Sequence, residues 1–232
     1  NFNAYYLLLT KKVMQAAKNE EVRYYLGIIG LAIVVIAINT REMFTSFGRA
    51  FQQAAFQVGS IITTTGYATT DFNVWPVFSK TILVILMFVG ACAGSTGGGI
   101  KVSRVLILLK SVKKELKQYL HPSAVEKIKM DGKIVEHEVV RSTNVFMVAY
   151  VLIFAVSVLL ISLDEYDLVT NFTAVTATFN NIGPGLALVG PTGNFGFFSN
   201  FSKVVLIFDM LAGRLELFPV LVLLSPGTWK RG

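Results

Sequence analysis

The sequence is poor in charge, in cysteine and in histidine, and each scarcity narrows what the chain can be. Charged residues make up 15% of its 232 positions, whereas a soluble domain carries about 25%. An ordinary globular surface is thereby excluded over most of the length. The single cysteine, Cys92, rules out an internal disulfide framework and a cysteine-built metal cage. The two histidines, His121 and His137, stand too far apart in a basic stretch to indicate a metal site. No paired aspartates, serine with histidine, or His-Glu zinc ligands lie inside an apolar segment, which argues against an intramembrane enzyme. The opening NFNAYYLLLTKK also lacks the basic, apolar and small-residue zones of a signal peptide. It reads as the tail of an earlier membrane helix entering a basic linker over 1–21. The chain is therefore expected to be a fragment, or the downstream half of a longer protein.

What is present is apolar. Hydrophobic residues make up 53% of the chain, and uncharged runs extend over Tyr24 to Thr40, Thr81 to Ile100, Ser142 to Leu163 and Leu168 to Ser202. A spanning helix needs ~20 predominantly apolar residues, so several of these runs qualify. The fold class is an all-α polytopic membrane protein. Of 21 Lys+Arg, 16 fall in three clusters, at Lys11 to Arg23, Lys101 to Arg141 and Lys230 to Arg231. Positive residues stay cytoplasmic in short loops, which sets all three clusters inside. The net charge of +7 then matches anionic lipid headgroups rather than nucleic acid.

The chain repeats itself. One run has a helix (about Val22 to Asn39), a semi-polar stretch (Phe47 to Thr63), a turn at Gly66 and a helix from about Pro76. The other has a helix (about Thr143 to Leu163), a semi-polar stretch (Leu168 to Phe179), a turn at Gly183 and a helix from about Ser199. The two glycines are 117 residues apart (183 − 66). Membrane transport proteins are commonly built from such repeats. FQQAAFQVGSIITTT and LVTNFTAVTATFNN are short and rich in polar groups, and read as re-entrant half-helices. As ordinary spanning helices they would throw the basic clusters onto opposite faces. Between the repeats, Asp131-Gly132 in KIKMDGKIVE is a type I′ hairpin signal.

Irregular backbone survives at membrane depth only where it lines protein or water. A half-helix ending at mid-membrane brings about half a negative charge there. Carbonyls of the following extended stretch can replace a cation's hydration shell. Thr64, Thr65 and Gly66, and Asn181, Ile182 and Gly183, are the candidate ion-binding residues, without a formal charge to hold an ion too tightly. An ordinary turn would explain either glycine alone; two in matching positions favour a filter. GACAGSTGGGIK, Gly90 to Lys101, is not a phosphate loop, because Ile100 stands where that motif requires lysine. Its five glycines would cost a helix about 1 kcal/mol each, so the helix should break there. Arg214 in the last apolar segment is too costly to leave facing lipid. It either faces the ion path or pairs with Asp209 or Glu216. Asp71 at the outer mouth either attracts cations or is a solvated loop residue.

Five stretches, ITTTGYATTDF, GACAGSTGGGIKVSR, HPSAVEKIKMDGKIVEHEVVRS, NNIGPG and MLAGRLELFP, resemble the TrkH/KtrB/HKT superfamily of potassium transporters, most closely its bacterial TrkH type. TTGYA is also similar to the potassium-channel filter signature, with Ala68 in place of its last glycine. The resemblance implies four helix–pore-helix–helix repeats around one ion path. Residues 22–118 would be the third repeat, 119–141 a cytoplasmic loop and 142–232 the fourth repeat. It implies potassium uptake across the cytoplasmic membrane with K+ at the filter residues and no covalently bound cofactor. A Na+-permeable or cation-coupled (symport) relative is the alternative. The loop 90–100, with Gly94, Gly97, Gly98 and Gly99, would be an intramembrane gate, and Arg214 a pore residue. The partners implied are a second copy of the chain, a cytosolic nucleotide-binding regulatory subunit of the TrkA/KtrA type, and membrane lipid.

Overall fold

The structure, a computed structural model, describes residues 6, 9, 10, 19–122, 127–215 and 217–224. Most of the linker expected over 1–21, the basic pair Lys230 and Arg231, and Glu216 lie outside the described residues. The described helices are α1 (Glu20–Asn39), α2 (Phe47–Ile62), α3 (Val77–Phe88), α4 (Val102–Leu120), α5 (His137–Ile161), α6 (Leu168–Phe179), α7 (Asn200–Arg214) and α8 (Leu217–Leu224).

Local chemistry sets where these helices begin. Asn19 accepts the Val22 N–H at the start of α1, Ser46 that of Arg49 at α2, Asp167 that of Thr170 at α6, and Ser199 that of Ser202 at α7. Each cap satisfies one of the four N–H groups that a helix start leaves without an internal partner. Among the described helices, α1 and α5 are long and apolar enough to cross a membrane. Both carry large apolar side chains on the outside, including Leu31 and Ile38 on α1 and Val148, Leu152 and Leu159 on α5. Such a surface is stable in lipid or against further helices.

The other two uncharged runs are not single helices. Thr81 to Ile100 stops being helical at Phe88 and resumes only at Val102, because the glycine cluster intervenes. Leu168 to Ser202 divides into the 12-residue α6, an irregular stretch and the start of α7. Helix α5 begins six residues before the expected Thr143, since nothing in HEVVRS breaks it.

Among the described residues, two apolar cores result. One gathers Ile36 of α1, Ile61 and Ile62 of α2, and Leu83 and Met87 of α3. It also takes in Ile182 and Leu186 from the second repeat, so the repeats are joined at the turns. The other is built from Phe146, Tyr150 and Ile161 of α5, Phe179 of α6 and Leu206 of α7. Strands β1 (Lys129–Met130) and β2 (Lys133–Ile134) form the expected hairpin, pairing Met130 with Lys133. Asp131 and Gly132 have φ of 50° and 77°, the positive values a type I′ turn requires.

Candidate ion path and the loop beneath it

Helices α2 and α6 end in the same way. Thr63, Thr64 and Thr65 donate their N–H groups to the carbonyls of Gly59, Ile61 and Ser60, at 3.1, 3.0 and 2.9 Å. Asn180, Asn181 and Ile182 donate to those of Thr176, Thr178 and Ala177, at 3.2, 3.0 and 2.8 Å. Every donor and acceptor in the second set lies 117 residues after its counterpart (180 − 63, 176 − 59). Thr64 and Asn181 both enter the left-handed region, with φ of 57° and 55°. This is a Schellman ending twice over, satisfying orphan carbonyls of the last turn and turning the chain away from the helix axis.

The two turns then meet. Gly66 has φ of 80°, and a Cβ there would lie 1.9 Å from the Ile182 carbonyl oxygen. No side chain fits that space, and left-handed backbone disfavours one in any case. Thr64, Thr65, Asn181, Ile182 and Gly183 line an open cavity of about 590 Å³, whose other wall is Lys203, Leu206, Ile207 and Met210 of α7. Gly66 is not on that wall; it packs against its counterpart turn. Asn73 ties the loops of the two repeats together, accepting the Ala187 N–H at 2.9 Å and donating to the Ala187 carbonyl at 3.1 Å. Asp71 accepts the Asn73 N–H at 2.9 Å, so at least one of its oxygens serves the loop itself.

Residues 89–101 form a loop pinched at its neck. Gly90 donates to the Ile100 carbonyl at 2.8 Å and Ile100 to that of Phe88 at 3.1 Å. Lys101 reaches back to the carbonyls of Ser95, at 3.1 Å, and Gly97, folding the tip on itself. That tip sits against both turns. The Gly98 N–H donates to Thr64 Oγ1 at 3.3 Å. A Cβ at Gly98 would fall 2.2 Å from the Asn180 carbonyl oxygen, and one at Gly97 would be 3.5 Å from Thr64 Oγ1. Of the four glycines singled out, Gly97, Gly98 and Gly99 are brought beneath the turns. Gly94 is not: nothing lies within 4 Å of a Cβ there.

Arg214 ends α7 and lines a small cavity of about 30 Å³ with Gly97, Gly99, Lys101 and Arg104. It is exposed and makes no ion pair with Asp209. Asp209 is fully buried and accepts from Ser157 Oγ on α5 at 2.7 Å. Arg104 lies 4.0 Å over the Phe146 ring. Three cationic side chains thus gather below the glycine loop. Among the described residues no group of acidic, histidine and cysteine side chains could hold a metal ion.

Asn180 was not singled out from the sequence, yet it carries the seat of the loop. Its side chain accepts from Tyr150 OH at 2.7 Å and donates to the Thr176 carbonyl at 2.8 Å, in a fully buried position. The 117-residue offset maps it onto Thr63 (180 − 63), a signal that points to its place at the helix end.

Comparison with known proteins agrees with this architecture. Residues 24–229 match the TrkH family model, described as a cation transport protein. The chain is 42% identical over 215 residues to the Trk system potassium uptake protein TrkH of Vibrio parahaemolyticus, covering 92% of this chain and 44% of that protein. It is 36% identical to the protein of the same name from Escherichia coli K12, covering 99% of this chain and 48% of the relative. The crystal structure of the Vibrio parahaemolyticus potassium transporter TrkH superposes with a TM-score of 0.89 at 40% identity, over 99% of this chain and 50% of that one. The chain spans about half the length of the curated relatives it matches. It belongs to the TrkH cation transport family, and it corresponds to the downstream half.

Proposed function

We propose that the chain supplies half of a potassium-selective path through the membrane, with Thr64, Thr65 and Gly66, and Asn181, Ile182 and Gly183, as the filter. The observation that carries this reading is the identical Schellman ending of α2 and α6, which delivers two matched turns side by side. Each half-helix brings about half a negative charge to the same place from its dipole. Together they favour a cation without a carboxylate that would trap it. Residues 22–118 and 142–232 are then the third and fourth pore repeats, and the remaining half of the filter comes from two repeats upstream. K+ is the transported ion, as the names of the relatives say of those proteins. Na+ permeation or ion coupling is the alternative within the same path.

The loop 90–100 is the gate in this reading, because its tip occupies the inner ends of both turns. Lys101, Arg104 and Arg214 below it raise an electrostatic barrier to cations. The basic clusters face the cytoplasm and anionic lipid, in the cell inner membrane. A homodimer and a cytosolic nucleotide-binding regulatory subunit complete the assembly on family grounds.

The test is uptake of Rb+ and Na+ by cells lacking other potassium systems and carrying full-length protein with Gly66→Ser or Gly183→Ser. Rb+ uptake is expected to fall, or Na+ to enter, at normal protein level. Wild-type uptake and selectivity in both variants would remove these turns from the ion path.

A further inference from the structure

Glu21, in the first turn of α1, is a carboxylate with 4% exposure. Its Oε1 accepts the N–H of Ala93 at 2.6 Å and that of Ser103 at 3.2 Å. Ala93 lies just inside the pinched neck of the glycine loop, and Ser103 lies in the first turn of α4. One oxygen from α1 therefore grips both the entry to the loop and the helix at its exit.

An anion at a helix start is favoured by the unpaired N–H groups and the dipole there, which accounts for the bond to Ser103. That bond alone would leave Ala93 free. The shorter bond goes to the loop, and burying the carboxylate is offset by making both. The first turn of α1 is itself held in place. Glu20 binds Lys110 of α4 at 2.7 Å, and its N–H donates to Asp131 of the hairpin at 2.6 Å. Glu21 thus presents its oxygen from a fixed support.

We propose that Glu21 is a positioning residue, holding the glycine loop seated against the inner ends of the two turns. Its consequence for ion flux rests on the gate reading above. Loss of the carboxylate frees Ala93 and lets the tip leave Thr64 and Asn180, while α1 and the turns keep their own bonds. Cys92, next to Ala93 and 4% exposed, is the sole cysteine of this chain and a built-in reporter of loop position.

The experiment uses full-length protein in liposomes, with any cysteine outside this chain changed to serine. Labelling of Cys92 by N-ethylmaleimide is timed well below the melting temperature, beside resting Rb+ flux, for wild type, Glu21→Gln and Glu21→Ala. Charge-assisted bonds are about twice as strong as neutral ones. Labelling should therefore rise about tenfold or more in Glu21→Ala and by a smaller factor in Glu21→Gln, which keeps an acceptor oxygen. Faster labelling with raised flux supports both the clamp and the gate. Faster labelling at unchanged flux supports the clamp and removes the gate. A lowered melting temperature with Cys92 labelled at the wild-type rate means Glu21 only caps α4, and overturns the proposal. Should Glu21→Ala fail to insert, Glu21→Gln against wild type decides by the same criterion.

Discussion

Gly98 offers a clean way to ask whether the glycine loop obstructs the path. Its φ lies outside the left-handed region, so alanine is permitted by its own backbone. The added Cβ, however, would stand 2.2 Å from the Asn180 carbonyl oxygen and 3.2 Å from the Asn181 Cβ. Real contacts of this kind do not fall below 3.0 Å, so loop and turn must part by about 0.8 Å. Asn180 is the less movable side, being buried and bound through its side chain to Tyr150 and Thr176. The loop tip is held there by one bond, from the Gly98 N–H to Thr64 Oγ1 at 3.3 Å. The loop should therefore yield. Overpacking of this kind costs about 1–3 kcal/mol. At about 1.4 kcal/mol per factor of ten, that shifts the balance from seated to unseated by roughly 5- to 150-fold. Gly94→Ala is the matched control, with φ of 72° and nothing within 4 Å of its Cβ. It introduces about 1–2 kcal/mol of backbone strain but no contact with either turn. Resting Rb+ flux into liposomes containing full-length protein should rise strongly in Gly98→Ala and little in Gly94→Ala. Equal fluxes in the two variants, or a fall in Gly98→Ala at normal insertion, would refute the obstruction.

If the proposed barrier holds, Arg214→Ala should raise single-channel conductance or resting leak, because it removes one of the positive charges gathered at the glycine loop. Arg214→Lys should keep much of the barrier; equal leak in the two variants would show that the charge is not what matters. At the N-terminus of α6, Asp167 accepts from the hydroxyl and the N–H of Thr170, which holds its carboxyl below the usual aspartate range. A depressed folded-state pKa means this cap's stabilisation is fully present above the ordinary aspartate value and is lost as pH falls from there through the lowered folded-state value. Asp167→Ala should then cost about 1 kcal/mol at neutral pH. The difference in melting temperature from wild type should shrink below about pH 4; a gap independent of pH would sink the capping account.

The parts of this architecture that were legible in the sequence are those written in local chemistry. Pro76 and Ser199 mark helix starts, and α3 and α7 begin one residue after them. Asp131-Gly132 announces a type I′ hairpin and makes one. The half-helices were legible because their threonines and glutamines break an otherwise lipid-compatible run, and the glycines at matching offsets gave the turns. The end of α3 followed from a cluster of residues that no helix tolerates. What stayed hidden are contacts between segments that share no period. Nothing near Gly66 announces that its Cα faces the Ile182 carbonyl, and nothing near Gly98 names Asn180 as its seat.

Glu21 shows the same limit from the side of charge. In sequence it is one of two acids before an apolar run, where a helix start favours acids anyway. Its bonds to Ala93 and Ser103 cross 72 and 82 residues and use backbone donors, which every residue but proline carries. A side-chain pattern cannot encode a partner that has no side-chain identity. The proposed grip suits what the glycine loop lacks of its own. Its neck is closed by bonds from Gly90 and Ile100, while its tip meets the turns through the bond from Gly98 to Thr64. Glycines free the backbone to fit beneath the turns, and the same freedom raises the entropy that must be lost to keep it there. A buried carboxylate reaching in from α1 is the kind of fixed support that such a segment requires.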